Sequence, residues 1–167
     1  MKMRSLLVAC IVGLSFVGGC GGPEAKVAHV TPQNMPDGQE WDGVYFHQVY
    51  GYLHLKGQDQ NVVGKWQRTD KSAWGTLSGT KNGNVLHFQW KETKYGMVGP
   101  SATQQGRGYF VYTVGKDDIA NLTGEYGLGQ DEVGSEWNAI KQMRMNPDLN
   151  SITGDVPGGG PQQGGLE

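Results

Sequence analysis

The chain has few cysteines and no excess of positive charge, and both shortages exclude classes of protein. Its 167 residues include only Cys10 and Cys20, and both precede the part of the chain that shows a strand pattern. A disulfide framework and a cysteine-ligated metal are therefore excluded for a folded domain. The chain carries 14 basic and 16 acidic residues, a net charge of −2. That balance lacks the basic footprint of a nucleic-acid-binding protein.

Sequence motifs of common catalytic sites are also absent. There is no G-x-S-x-G serine motif, no H-x-H or H-E-x-x-H spacing, and no third glycine to complete a phosphate loop after Gly129. Glu92, Asp117 and Asp118 show no pairing that suits glycoside hydrolysis. We therefore predict no catalytic residue, no metal ligand and no cofactor.

The N-terminus has an apolar run that is too short to cross a bilayer comfortably. Lys2 and Arg4 precede apolar residues 6–17, whereas a spanning helix needs about 20 residues. The run ends in Val17-Gly18-Gly19-Cys20, which resembles the lipobox of bacterial lipoproteins. An ordinary secretory peptide, or a short membrane anchor with an incidental cysteine, is the alternative interpretation.

The lipobox resemblance implies a location as well as a modification. Residues 1–19 are then a signal peptide, and Cys20 carries lipid, with acyl chains such as palmitate, as the anchor to the membrane. The absence of Asp directly after Cys20 favours the outer membrane of a Gram-negative cell envelope. Residues 20–40 contain three prolines and predict a flexible, lipid-anchored linker.

Residues 41–145 alternate between apolar and polar side chains in short segments separated by turn residues. Asn82-Gly83 is a strong hairpin signal, and Trp137, Ala139 and Lys141 share the alternation of a closing strand. The pattern predicts an all-β domain, an antiparallel up-and-down meander of about eight strands that forms a small barrel or a strongly curved sheet. A helix over residues 137–145 is the alternative, and residues 91–106 predict a wide loop. The Gly/Pro/Gln-rich residues 146–167 predict a disordered tail.

Glycines recur at fixed places in this pattern. Val62-Val63-Gly64-Lys65-Trp66 and Leu122-Thr123-Gly124-Glu125-Tyr126 share an apolar residue, a glycine and an aromatic residue at the same spacing. Inward glycines make room for large neighbours in a tightly curved sheet. This spacing resembles that of calycin-type barrels, the lipocalin and avidin class. The resemblance implies a fold and identifies no ligand residue.

Candidate binding residues lie on the polar faces of the predicted strands. Trp74 alternates with threonine and serine, and Tyr52 stands beside His54; exposed rings among polar groups are typical of sugar-binding and peptide-binding surfaces. Most other aromatic residues are predicted to fill the core. His47, His54 and His87 are the histidines of the domain. A histidine pair with an acid can bind a metal or act as a general base, and solvated side chains are the alternative interpretation. Asp131, Glu132 and Glu136 form an acidic stretch without the ligand spacing of a calcium loop.

The leading hypothesis is a lipid-anchored envelope protein whose barrel binds a small-molecule, glycan or protein ligand and is not an enzyme. It combines the predicted anchor on Cys20 with an aromatic-rich meander and the absence of a catalytic motif. A structural or assembly component of a cell-surface complex is the first alternative. A cell-envelope hydrolase is the second.

Overall fold

The structure, a computed structural model, describes residues 24–154 and consists almost entirely of β-strands. Two short 3₁₀ turns, Pro100–Ala102 and Leu149–Ser151, are the helical elements of these residues. The strands are β1 (Gly43–His47), β2 (Gly51–Gln58), β3 (Asn61–Gln67), β4 (Ala73–Asn82), β5 (Val85–Lys94), β6 (Thr103–Val114), β7 (Ala120–Leu128), β8 (Ser135–Glu136) and β9 (Ala139–Lys141). No helix within residues 24–154 has the length and apolar content to cross a membrane.

The strands form a closed, eight-stranded antiparallel barrel. Strands β1 to β7 pair in sequence order, and β9 pairs with both β7 and β1, which closes the ring; β8 pairs with β7. The predicted fold class and the predicted closing strand are confirmed, and the architecture is consistent with a calycin-like meander barrel. The predicted loop over residues 91–106 is too wide, because β5 and β6 pair from Thr93 and Thr103 onward.

Alternate connections lie at the same end of an up-and-down barrel. Residues 48–50, 68–72, 95–102 and 129–134 connect strands at one end, which we call the loop end. Residues 59–60, 83–84 and 115–119 lie at the other, the hairpin end. Trp41 covers the hairpin end: its ring packs edge-on against Tyr112 with centroids 5.5 Å apart, and its Nε1 donates to the Gly83 carbonyl.

Inward glycines stand opposite large side chains on neighbouring strands. Trp66 is in register with Gly75, and Trp90 with Gly106. Phe88 lies between two glycines, Gly79 on one side and Gly108 on the other. Because each ring leans into the space that a missing side chain leaves, eight strands close around a core that is filled.

The centre of this core is an aromatic cluster around Trp137. The Trp137 ring lies within 6.2 Å, centroid to centroid, of five other rings: Tyr50, Trp66, Phe88, Phe110 and Tyr126. All but Tyr50 and Tyr126 are buried. The interior of the barrel is therefore packed with aromatic side chains, as the sequence predicts for most of its aromatic residues.

The described residues before β1 lie along the outside of the barrel. The Lys26 and Ala28 amides donate to the side chains of Asp131 and Glu132, and the Gln33 amide donates to Asn84. The sequence predicts a flexible linker here; the structure instead holds residues 26–33 by hydrogen bonds at two places. We call residues 24–40 the N-terminal strap. The predicted signal peptide and Cys20 lie outside the described residues.

The chain after β9 also lies on the barrel. Residues 146–154 run along its outer surface, Ile152 is buried, and the Asp148 carboxylate accepts from the Asn150 amide to start the turn Leu149–Ser151. The predicted disorder is therefore wrong for this stretch, because its turn-forming residues build a capped turn and anchor one isoleucine. Residues 155–167 lie outside the described residues.

Candidate functional site

The outer surface of β2, β3 and β4 brings the predicted binding residues onto one face. The register places Tyr52 opposite Gln67, and Gln67 opposite Trp74, which makes one row across the three strands. His54 and Lys65 lie in the next outward row. We call this surface the β2–β4 face. Tyr52 is exposed, Trp74 is half-buried and His54 is buried.

Residues 146–154, the C-terminal segment, lie across the β2–β4 face and are bound mainly through their backbone. The Asp148 amide donates to His54 Nδ1 at 3.0 Å, and Lys65 Nζ donates to the Ile152 carbonyl at 3.4 Å. The Tyr95 hydroxyl donates to the Thr153 carbonyl at 2.9 Å and accepts from the Gln67 amide group. Backbone groups occur in every polypeptide, so these contacts suit peptides of varied sequence.

A cleft of about 300 Å³ continues the β2–β4 face toward the loop end. Phe46 and Tyr52 provide its rings, with centroids 4.9 Å apart. The cleft is lined by Phe46, Gly51, Tyr52, His54, Gln67, Arg68, Thr69, Lys71, Ser151 and Ile152. This set contains no carboxylate side chain, so the cleft favours a neutral or anionic group. Its volume is at the lower limit of small-molecule sites.

His54 is neutral in this arrangement because its Nδ1 accepts a hydrogen bond. Burial lowers the pKa of His54, and the backbone and the carboxylate of Asp148 offset part of that effect. The unfolded chain, in which histidine has its ordinary pKa near 6.5, therefore takes up a proton before the folded chain does. Stability from this group is complete above that pKa and decreases as the pH falls through it.

We expect the urea midpoint of the full chain to decrease between pH 7.5 and pH 5.5. His54→Gln should reduce this dependence, because an uncharged amide replaces the buried imidazole. Burial also lowers the pKa of His47, so part of the dependence should persist. Urea denaturation at both pH values measures the effect. An unchanged pH dependence in His54→Gln contradicts the assignment, and His29→Gln, at an exposed position of the strap, is the control.

His47 and His87 also have structural partners. His47 Nδ1 accepts from the Val49 and Tyr50 amides and so stabilises the turn between β1 and β2. His87 Nδ1 pairs with the Glu132 carboxylate at 2.5 Å. Within residues 24–154, His, Cys, Asp and Glu side chains form no group of three or more that could hold a metal ion.

The acidic stretch near β8 binds the N-terminal strap. Asp131 and Glu132 accept from strap amides, and the Glu132 amide donates to the Lys26 carbonyl. Glu136 is exposed on β8. Two of the three carboxylates therefore hold the chain's own backbone.

A second group of polar side chains lies over the aromatic cluster at the loop end. Glu92 is buried and accepts two hydrogen bonds from Arg68, at 2.9 and 2.8 Å, and a third from Trp66 Nε1 at 3.3 Å. Tyr50 lies 5.3 Å from the guanidinium carbon, and its hydroxyl is 2.7 Å from that of Tyr126. The recess here measures about 30 Å³, which is space for about a water molecule.

The sequence interpretation did not identify this loop-end group. Arg68 follows β3 and Glu92 lies 24 residues later in β5, so no local spacing relates them. Each belongs to an inward-facing row, Arg68 in line with Trp66 and Glu92 in line with Trp90. The sequence predicts a turn at Arg68 and a loop over residues 91–106, so neither residue was expected to face the core; the alternation of Glu92 with Trp90 was the available signal.

Comparisons of the chain with protein-family models, with curated proteins and with solved structures find no match. The geometry of the β2–β4 face is therefore the basis for a functional assignment.

Proposed function

We propose that this protein is a lipid-anchored envelope protein that binds a peptide segment of a partner on the β2–β4 face. The observation that supports it is the C-terminal segment, because this face already holds a peptide. His54, Lys65 and Tyr95 bind one backbone N–H and two carbonyls of that segment. Side chains that bind backbone groups accept many sequences, and specificity is left to neighbouring pockets.

The cleft beside the segment provides such a pocket. Tyr52 keeps 44% of its surface exposed, and the Phe46–Tyr52 ring pair forms an apolar floor beside Gln67, Thr69 and Ser151. An aliphatic or aromatic side chain of a partner peptide fits this floor, and its backbone fits the groups that the C-terminal segment now occupies. His47 and His54 each accept from backbone amides through Nδ1, so both have a structural role beside this floor.

The anchor in this proposal rests on the lipobox resemblance at Val17-Gly18-Gly19-Cys20. A lipid on Cys20 holds the barrel at a membrane, where the partner peptide belongs to another envelope protein. Because the lumen is filled with side chains, the outer surface is the part of the barrel that remains for recognition.

Binding of a peptide in trans tests the β2–β4 face. In the full chain, Ile152→Asp should release the C-terminal segment, because a buried carboxylate without a partner is unfavourable. A synthetic peptide of residues 145–154 should then bind saturably, measured by amide chemical shifts. The unsubstituted protein should bind it at least tenfold more weakly, since its own segment competes at an effective concentration of about millimolar.

Two controls accompany this measurement. Ile140→Asp changes an isoleucine that is 53% exposed on β9 and should leave the segment bound, so this protein should resemble the unsubstituted one. A peptide with aspartate in place of Ile152 should bind neither. A folded Ile152→Asp protein that fails to bind the natural peptide contradicts the proposal.

A further inference from the structure

Basic residues are concentrated in the middle of the chain. Residues 61–114 contain seven basic and two acidic residues, which leaves seven basic and fourteen acidic residues for the rest of the sequence. One of the two carboxylates is Asp70, in the connection between β3 and β4, where Ser72 donates to it. The other is Glu92, which is buried and paired with Arg68. Strands β3 to β6, all of which the structure describes, therefore present no carboxylate on their outer surface.

Three cations project from the outer surface of these four strands. Lys65 on β3 and Lys91 on β5 lie in one row with Thr76 between them, and Arg107 on β6 lies in the next row, opposite Gln89. The strand spacing and the pleat place neighbouring cations about 8 to 10 Å apart. None of the three takes part in an ion pair among residues 24–154. Lys65 contacts a neutral carbonyl of the C-terminal segment, so all three positive charges are uncompensated.

The same surface forms a groove between the N-terminal strap and the C-terminal segment. Two clefts of about 730 and 370 Å³ share Val63, Ser78 and Gln89 as lining residues. Val27 of the strap borders the larger cleft, and Leu149 of the C-terminal segment borders the smaller one. We call the two clefts together the β3–β6 groove. Hydroxyl and amide side chains line it between the cations: Gln58, Asn61, Thr76, Ser78, Thr80 and Gln89.

We propose that the β3–β6 groove binds an anionic polysaccharide, a sugar chain that carries carboxylate or phosphate groups. Lysine and arginine bind such groups through charge-assisted hydrogen bonds, and the guanidinium of Arg107 has the geometry to hold one of them with two donors. Hydroxyl and amide side chains both donate and accept, which matches the hydroxyl groups of sugars. A row of separated cations favours a chain with repeated negative charges over a single small anion.

The aromatic residues at the groove disfavour nucleic acid as its ligand. Single-stranded nucleic acid binds through rings on which its bases stack. Among the described residues, no exposed phenylalanine, tyrosine or tryptophan lines the groove, because Phe88 and Trp90 are buried. The inference is independent of the proposed peptide binding and of the lipid anchor. Lys65 borders both surfaces, so Lys91 and Arg107, which are exposed, are the residues to change.

Titration of the full chain with a hexasaccharide of guluronic acid and with an oligomer of glycerol phosphate tests the groove. We expect one of these probes to bind saturably at low ionic strength, with amide chemical-shift changes concentrated in β3 to β6 and with weaker binding at higher salt. The probe that binds more tightly identifies carboxylate or phosphate as the acidic group. Neutral maltohexaose should cause no such shifts. Lys91→Glu with Arg107→Glu should bind the tighter probe at least tenfold more weakly.

The control variant has the same change of charge outside the groove. Lys116→Glu with Arg144→Glu also alters one exposed lysine and one exposed arginine and should bind like the natural chain. Lys91→Gln with Arg107→Gln, which removes the charges without reversing them, should weaken binding too.

Three results overturn the inference. The first is that neither anionic probe binds, and the second is that the groove variant and the control variant bind equally well. The third is that oligothymidylate of the same charge binds as tightly as the sugar probe, which indicates a nucleic-acid surface. The Ile152→Asp protein should bind the peptide of residues 145–154 equally well with and without the changes at positions 91 and 107, so the two proposals fail separately.

Discussion

Gly75→Ala should lower the free energy of unfolding by about 3 kcal/mol, the upper part of the range for overpacking a core. A β-carbon at Gly75 would overlap the six-membered ring of Trp66. Trp66 is buried, and its Nε1 donates to Glu92, so the ring cannot move aside without losing that hydrogen bond. Urea denaturation of the purified chain, followed by tryptophan fluorescence, measures the loss.

The neighbouring tryptophan provides the control for this prediction. In a Trp66→Leu background the overlap is removed, so adding Gly75→Ala should change stability much less than it does in the natural chain. Ser78→Ala, at an exposed outward position of the same strand, should alter stability by less than about 0.5 kcal/mol. Equal effects of Gly75→Ala in both backgrounds contradict the glycine–tryptophan pairing.

Arg68→Met should be destabilising by about 3 kcal/mol, because it leaves a buried carboxylate with one of its three hydrogen bonds. Glu92 is 8% exposed, and only Trp66 Nε1 would remain as its donor. Methionine keeps most of the length of the arginine stem, so the loss reflects the charge pair more than packing. Thermal and urea denaturation should agree on the direction.

The double substitution Arg68→Met with Glu92→Met separates the charge pair from its surroundings. Replacing both partners removes the unpaired carboxylate, so the double variant should be more stable than Arg68→Met alone. Lys91→Met, at the exposed outward position beside Glu92, should change stability little. A double variant as unstable as Arg68→Met indicates that the arginine acts through packing.

Much of the fold could be predicted from the sequence because a barrel strand alternates strictly between core and solvent. Leu53 and Leu55 on β2, and Phe88 and Trp90 on β5, are buried as their alternation indicates. The width of the connection after β5 could not be predicted, because a sequence does not distinguish a strand glycine such as Gly106 from a glycine in a turn. In the structure it is the inward partner of Trp90, and only the register distinguishes the two roles.

The candidate site could be predicted only in part. Alternation places Tyr52, His54 and Trp74 on outward faces, and sequential pairing of hairpins makes them neighbours. The contact between His54 and Asp148 spans 94 residues and depends on where the chain turns after β9. Composition also misleads there: Pro147, Asp148 and Asn150 are common in disordered tails, yet Asp148 caps a turn that presents Ile152 to the barrel.

The closing strand β9 has only three residues, and it pairs through two positions with β1 and two with β7. Chains are synthesised from the N-terminus, and the partner of β1 follows about a hundred residues later in the sequence, so the β1–β9 pairing forms late. Until β9 arrives, β1 and β7 are open sheet edges, which are templates for pairing with other chains. The short pairing of β9 with β1 and β7 is also the part of the finished barrel with the lowest free energy of local opening. Amide hydrogens of β9 should therefore exchange before those of β3 to β6. Protection of these unpaired edges would therefore matter most for this protein before its last strand is added.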